Sequence, residues 1–318
     1  MMNYKRANIN IALLKYWGKT DQVINLPQQT SISVTADIFF TKTNVTIDKK
    51  LRKDKVILDD VELTGLAYTR VVQHLNTLRE RFKQKSFCVV TSFNNVFIRA
   101  GYASSASAFA ALTAAYVSAI GEKVDEKELS RLARLGSGSA ARSIHGGFVI
   151  WHKGTDHESS FAEKLPVEWP EFRMLFTVID AKSKPISSRI GMQLTVEKAP
   201  SYGLFVQECQ DLVDPMIKAL KAQEIDTVGK LSERSAELMR NVMLEAGIEY
   251  HVPETQKLIQ SIKAIRSKHH IPVYYTFDAG PNLILLTLAD HVDKIIELIP
   301  GIKIEVSGVG GGISDTTA

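Results

Sequence analysis

The sequence predicts an α+β fold in two lobes, with mixed and antiparallel sheets, packed helices and a cleft between the lobes. Three observations lead there. Strand-like alternation fills much of the first half without a regular βα repeat. Longer amphipathic helices take over from Ser187 onward. The 318 residues, 45% of them hydrophobic, supply core for two modest lobes. The change of texture puts the division near residue 183, with an N-terminal lobe over 1–183 and a C-terminal lobe over 184–318.

An apolar strand precedes Lys15. Alternation and β-branched residues then predict strands over 31–38, 43–47, 55–58 and 87–91. A helix over 66–82 lies between the last two and sets Val72, Leu75, Leu78 and Phe82 on one stripe. An alanine-rich helix runs from Ser104 and Ser105 to about residue 120, and another covers 125–135. A glycine-rich segment leads into 147–151, and a buried strand follows over 172–179. Amphipathic helices come next over 203–221, 225–245 and 253–268, the first kinked or split by Pro215. Strands over 273–277 and 283–288, a helix over 291–298, a short strand and the tail SGVGGGISDTTA close the chain.

Lys and Arg number 39 against 35 Asp and Glu, a formal net charge of +4, and the basic residues are scattered. This pattern argues against a nucleic-acid surface and is compatible with a polyanionic small molecule. Cys88 and Cys209 sit far apart in apolar stretches and read as two buried thiols in a reducing compartment. No run approaches the roughly 20 apolar residues of a membrane helix, and positions 1–20 lack an uninterrupted apolar stretch. A cytoplasmic protein without membrane or nucleic-acid partners is expected. The eight His residues show no zinc spacing. Neither a G-x-G-x-x-G fingerprint nor a G-x-S-x-G elbow is present, which disfavours dinucleotide oxidoreductases and α/β-hydrolases.

Chemistry concentrates in five short segments. The stretch RAGYASSASAFAALTA joins a glycine and two serines to a helix start. Gly101 lets the backbone approach an anion, and first-turn N–H groups point outward. Ser104 and Ser105 offer hydroxyls to phosphate oxygens or, at Ser105, to a magnesium ion. The Lys of a P-loop is missing, so the ordinary NTPase loop is excluded, and a tightly packed helix start is the competing reading. ALLKYWGK sets Lys15, Tyr16 and Lys19 after an apolar strand, where two ammonium groups and a phenol suit phosphates, unless the lysines are simply exposed. GSGSAARS puts Ser137 and Ser139 on a turn ahead of Arg142, whose planar fork matches a carboxylate unless it lies on the surface. KPISSRIGM begins a helix with Ser188 and Arg189, a place that welcomes an anion, although Ser187 or Ser188 also suits an ordinary N-cap. TFDAGPN holds Asp278 at a strand end on a tight turn, where it faces a cleft or folds back as an Asx turn.

Taken in order, ALLKYWGK, AGYASSASA, GSGSAARS, SSRIGM and DAGPN resemble the diphosphomevalonate decarboxylases of the GHMP kinase superfamily, from Asn10 to about Gly308. The resemblance implies a GHMP-kinase-like fold and an enzyme that uses ATP and Mg²⁺ to convert 5-diphosphomevalonate into isopentenyl diphosphate, ADP, phosphate and CO₂. It further implies that Asp278 takes the proton from the C3 hydroxyl and that Lys15 pairs with Asp278 and keeps it ionised. Arg142 would hold the substrate carboxylate. Tyr16, Lys19, Ser137, Ser139, Ser188 and Arg189 would grip diphosphate and hydroxyl oxygens, and Gly101, Ala103, Ser104 and Ser105 would cradle ATP phosphates. A homodimer is implied as well.

The chain departs from the family pattern in places. Phe97, Ile98 and Arg99 replace the usual entry of the nucleotide loop, and Gln29, Thr30 and Ser31 stand where relatives often show Asn-Ser-Ser. A monophosphate-specific decarboxylase, a mevalonate-type kinase and a non-catalytic sensor that kept the fold are the alternatives. Arg142 disfavours the pure kinase, because a decarboxylase needs its substrate carboxylate fixed.

Overall fold

A computed structural model describes residues 3–95, 104–179 and 186–317. The first half runs β1 (Asn3–Leu14), β2 (Lys19–Asp21), β3 (Leu26–Pro27), β4 (Ser31–Asp48), β5 (Lys55–Leu58), β6 (Val61–Glu62), α1 (Gly65–Phe82), β7 (Phe87–Asn94), α2 (Ser104–Ala119) and α3 (Glu126–Gly136). A 3-10 segment over Gly138–Ile144 leads to β8 (Phe148–Trp151), β9 (Ala162–Lys164) and β10 (Phe172–Val178). Then come α4 (Ser188–Lys198), α5 (Tyr202–Asp211), α6 (Val213–Ala222), α7 (Ile225–Glu245) and α8 (Pro253–His269). The chain ends through β11 (Tyr274–Phe277), β12 (Leu283–Leu288), α9 (Val292–Leu298), β13 (Lys303–Ser307) and β14 (Ser314–Thr317).

Two sheets organise these elements. The larger has the order β14-β1-β4-β7-β5-β6, with β8 also pairing β4 and carrying β9, and among the described residues only β5 and β7 run parallel. The smaller is antiparallel in the order β11-β12-β10-β13. Period-two alternation explains how they stack. Met174, Phe176, Ile284 and Leu286 face a core shared with Ile9, Ile11, Ile32 and Val34 of the larger sheet. Their neighbours Leu175, Leu283 and Leu285 face the opposite way, into a core made with α5, α7, α8 and α9. On the far side of the larger sheet, Leu75, Leu78, Tyr116 and Leu132 bring α1, α2 and α3 against Val45, Val56 and Val90. The α+β architecture expected from the sequence is thus present.

Some details differ from the sequence reading and one follows it. Residues 31–48 form one strand, because Phe39 packs edge-on against Phe176 and no turn residue intervenes. Where a break was expected the strand bulges, with Asn8 opposite Phe40 but Asn10 opposite Thr35. Residues 203–221 do split, at Leu212, just ahead of Pro215. β10, which precedes the division expected near 183, pairs with β12 and β13 of the second half, and β14 returns to pair with β1. Texture along the chain does not report such distant pairings.

Both cysteines are buried free thiols. No helix among the described residues is long and apolar enough to cross a membrane.

Candidate active site

The ends of β1, α3, β11 and the start of α4 converge on a cavity of about 460 Å³. Lys15 and Tyr16 reach it as β1 ends, and Lys19 as β2 begins. Ser137, Ser139 and Arg142 line it from the turn and 3-10 segment after α3. Ser188 and Arg189 are the first residues of α4, Asp278 follows β11, and Ser105 lies in the first turn of α2; all of these line the same space. Gly101 and Ala103 lie outside the described residues. Of Ser104, only its place at the start of α2 is described.

Burial and partners bear on the plain alternatives weighed for Lys15, Lys19, Arg142 and Asp278, while the helix start at Ser104 follows residues outside the described ones. Lys15 and Lys19 are not solvated at a strand end; they are 2% and 8% exposed. The Lys15 ammonium lies 3.2 Å from Asp278 Oδ1, while its backbone N–H donates to Ser235 Oγ on α7. Burial pushes the pKa of Lys15 down, and the Asp278 carboxylate opposes that shift. Asp278 pairs with Lys15 instead of folding back onto its own turn. That turn is tied to the end of β11 by Gly280 N–H donating to the Asp278 carbonyl and to α8 by Thr255 Oγ1 donating to the Pro281 carbonyl.

Arg142 is 3% exposed and pinned from two sides. Its Nε donates to Asn10 Oδ1 at 2.9 Å and its Nη1 to Ser31 Oγ at 2.6 Å. Asn10 Nδ2 in turn donates to Ser143 Oγ and to the Ser139 carbonyl. Burial lowers the Arg142 pKa to about 10, so the guanidinium stays charged at neutral pH.

α4 is seated by Trp17. The indole N–H donates to Thr195 Oγ1 at 3.1 Å, and Gly191 leaves the space that Trp17 and Tyr250 occupy. Ser187 is the N-cap, accepting from Ile190 N–H, which leaves Ser188 as the first helical residue beside the cavity. The Tyr16 ring packs edge-on against Trp151, and a Cβ on Gly138 would lie 2.7 Å from Tyr16 Oη. That hydroxyl is buried without a protein partner, and burial pushes its pKa up.

The charge balance of the cavity is one-sided. Lys15, Lys19, Arg70, Arg142 and Arg189 face a single carboxylate, Asp278, among the described lining residues. Such a site concentrates polyanions. Burial together with Arg189 and Arg70 lowers the pKa of Lys19 to about 8.

A second cavity of about 250 Å³ opens between α1, α2 and strands β5 and β7, lined largely by apolar side chains such as Ile57, Val90, Phe109 and Leu112. Arg70 and Ser105 belong to both cavities. Arg70 Nε is buried without a partner.

Comparison with known proteins agrees with this geometry. Residues 7–162 match the diphosphomevalonate decarboxylase-like N-terminal domain, and residues 174–306 match the mevalonate 5-diphosphate decarboxylase C-terminal domain. The chain belongs to the diphosphomevalonate decarboxylase family.

The diphosphomevalonate decarboxylase of Ganoderma lucidum is 33% identical over 322 residues, covering 92% of this chain and 80% of that protein. Among solved structures, MDDEF in complex with MVAPP, AMPPCP and magnesium superposes with a TM-score of 0.94 at 35% identity, covering 100% of this chain and 99% of that one. The mevalonate diphosphate decarboxylase from Staphylococcus aureus gives 0.95 at 33% identity, covering 99% and 98%. The fold is therefore the GHMP-kinase-like fold of this decarboxylase family.

Sequence reasoning missed polar residues at this cavity, among them Asn10, Asn25 and Arg70, which line it, and Ser31, which holds Arg142. Asn10 carried a signal, a polar side chain in the buried run NINIALL, and Ser31 was noted only as a departure from relatives. Arg70 and Asn25 had none. Arg70 shares its helix with the apolar stripe, and only the placement of α1 shows that it borders both cavities.

Proposed function

We propose that the cavity carries out the ATP-dependent decarboxylation of 5-diphosphomevalonate to isopentenyl diphosphate, with release of ADP, phosphate and CO₂. The observation that carries this reading is the pairing of Asp278 with a buried Lys15 in a space otherwise lined by cations, one of them the doubly pinned Arg142.

Asp278 accepts the proton of the C3 hydroxyl as that oxygen attacks the γ-phosphoryl group of ATP. The Lys15 ammonium, 3.2 Å from Asp278 Oδ1, orients that carboxylate toward the cavity. A tertiary hydroxide leaves poorly, whereas the phosphate ester oxygen leaves readily. The C3–O bond then breaks, and the electron pair of the bond to the carboxyl carbon becomes the new double bond as CO₂ departs. Arg142 holds the carboxylate so that this bond stays aligned for cleavage. Tyr16, Lys19, Ser137, Ser139, Ser188 and Arg189 take the diphosphate and hydroxyl oxygens. Positioning and electrostatics do most of the work in phosphoryl transfer, and the excess of cations supplies both.

The residues present fit ATP and Mg²⁺. The apolar second cavity suits a base, and the unpartnered Arg70 Nε beside Ser105 suits the phosphates that would bridge the two spaces. No group of three or more His, Cys, Asp or Glu among the described residues forms a ready-made metal cage. Magnesium commonly binds through substrate phosphates with few protein ligands, and the Ser105 hydroxyl would be one of them. The metal supplies neutralisation of the charge on the transferring phosphate. A homodimer and a cytoplasmic location complete the proposal; the buried free thiols suit a reducing compartment.

The test incubates the protein with ATP, Mg²⁺ and, separately, mevalonate, its monophosphate and its diphosphate, measuring ADP and CO₂ independently. Equimolar ADP and CO₂ from the diphosphate alone is expected. ADP without CO₂ identifies a kinase, turnover of the monophosphate alone identifies that relative, and nucleotide binding without turnover identifies a sensor. Asp278→Ala should abolish both products while leaving ATP affinity near normal. Undiminished turnover would remove Asp278 from the role of base.

A further inference from the structure

Lys19 lines the cavity together with two other cations, Arg189 at the start of α4 and Arg70 on α1, both close enough to lower its pKa. Among the described residues no carboxylate lies within ion-pairing distance of it. Its hydrogen bond is to Asn25, with Nζ 2.5 Å from Oδ1. Asn25 lies in the turn of the β2–β3 hairpin, is 3% exposed and adopts a left-handed backbone (φ 51°), which asparagine tolerates better than most residues. Asp21 shapes the same turn by accepting from Val23 N–H and Ile24 N–H.

The other end of the Asn25 amide settles its orientation. Nδ2 donates to the carbonyls of Arg134 and Leu135, both at 2.9 Å, in the last turn of α3. An amide has one acceptor end and one donor end. The ammonium requires an acceptor and the two carbonyls require donors, so only one orientation serves all three. Asn25 therefore links the phosphate-facing hairpin to the end of the helix from which Ser137 and Arg142 follow.

We propose that Asn25 is a positioning residue for substrate binding, holding the Lys19 ammonium against the C-terminal turn of α3 so that its remaining N–H groups face the phosphate end of the substrate. This rests on the reading of Lys19 as a phosphate-gripping group. A lysine stem has four rotatable bonds, and without an anchor its charge would swing away from Arg189 and Arg70 toward solvent. The neutral acceptor keeps the ammonium in the cluster without cancelling the charge that a diphosphate needs. The carbonyls at the end of α3 add the negative end of the helix dipole on the same side. Burial and the two neighbouring cations pull the Lys19 pKa down to about 8, whereas a hydrogen bond donated by the ammonium to Asn25 Oδ1 favours the protonated form.

The test compares the pH dependence of KM for diphosphomevalonate, at saturating ATP, in the wild type, Asn25→Ala, Asn25→Asp and Lys19→Met, with thermal melts to confirm folding. Asn25→Ala should move the alkaline rise in KM to lower pH and raise KM about tenfold at pH 8.5, with kcat changed less than twofold. Asn25→Asp puts a carboxylate beside the ammonium and should move the rise to higher pH, even though it cannot donate to the Arg134 and Leu135 carbonyls. A residue that only caps α3 would lower the melting temperature in both variants and leave the pH position of the rise alone; that result overturns the inference. Both shifts should vanish in the Lys19→Met background, and their persistence there would also overturn it. If Lys19→Met itself leaves KM at the wild-type value, the role given to Lys19 fails. If Lys19→Met raises KM while the Asn25 variants match the wild type, only the role given to Asn25 fails.

Discussion

Arg142→Lys changes no formal charge, yet the geometry predicts a severe loss. The guanidinium spends Nε on Asn10 and Nη1 on Ser31 at a position 3% exposed, leaving Nη2 without a protein partner among the described residues and available to a carboxylate. A lysine ammonium cannot span all three directions, so at least one of Asn10 Oδ1 and Ser31 Oγ loses a donor in a buried site. That costs about 1–3 kcal/mol. Replacing the planar fork by a point charge removes a further ~1.5–3 kcal/mol of charge-assisted hydrogen bonding to the substrate. The first part is lost stability; the second acts on the transition state relative to the free enzyme, so kcat/KM should fall on the order of 10–10²-fold. The assay follows ADP and CO₂ separately at saturating ATP. An ADP yield exceeding CO₂ is also expected, because the carboxylate is no longer held for cleavage after phosphorylation. Turnover within threefold of the wild type, with the two products still equimolar, would place the carboxylate elsewhere and refute the reasoning.

Three further outcomes follow from the same geometry. Lys19 titrates near 8 in the free protein, and a diphosphate favours its charged form; KM should therefore hold steady below that pH and rise above it, while Lys19→Arg should flatten the profile. Gly138→Ala would press a Cβ to 2.7 Å from Tyr16 Oη and 3.0 Å from the Trp151 ring, so a stability loss of about 1–3 kcal/mol and a raised substrate KM are expected from melts and kinetics. His74 is buried and its pKa is pushed down to about 3 by desolvation, so the unfolded chain binds the extra proton first as pH falls below 6.5. Stability should drop by about 2 kcal/mol between pH 7 and pH 5 from this group, and urea titrations of His74→Gln should lack that component.

Much of the candidate site was legible in the sequence because its residues sit in short segments whose types are poorly explained by packing alone. Lys15, Tyr16 and Lys19 share one such segment, Ser137, Ser139 and Arg142 another, and Asp278 interrupts an apolar strand end with a charge. The family resemblance supplied the roles proposed for them. Asn25 and Arg70 were not legible, because an asparagine in a polar turn and an arginine on an amphipathic helix are ordinary there. Their distinction is a partner far away in the chain: the last turn of α3 for Asn25, and the boundary between two cavities for Arg70.

Local periodicity and residue chemistry determined most of the elements, the buried thiols and the set of groups capable of handling a phosphorylated acid. Only tertiary structure decided that Asp278 meets Lys15 across 263 positions of chain, that Asn10 and Ser31 clamp Arg142, and that β10 joins the second sheet while β14 closes the first. The physical reason is range. Helix and strand patterns arise from neighbours a few residues apart, whereas a buried ion pair or a sheet neighbour exists only once packing has brought distant segments together and excluded the water between them.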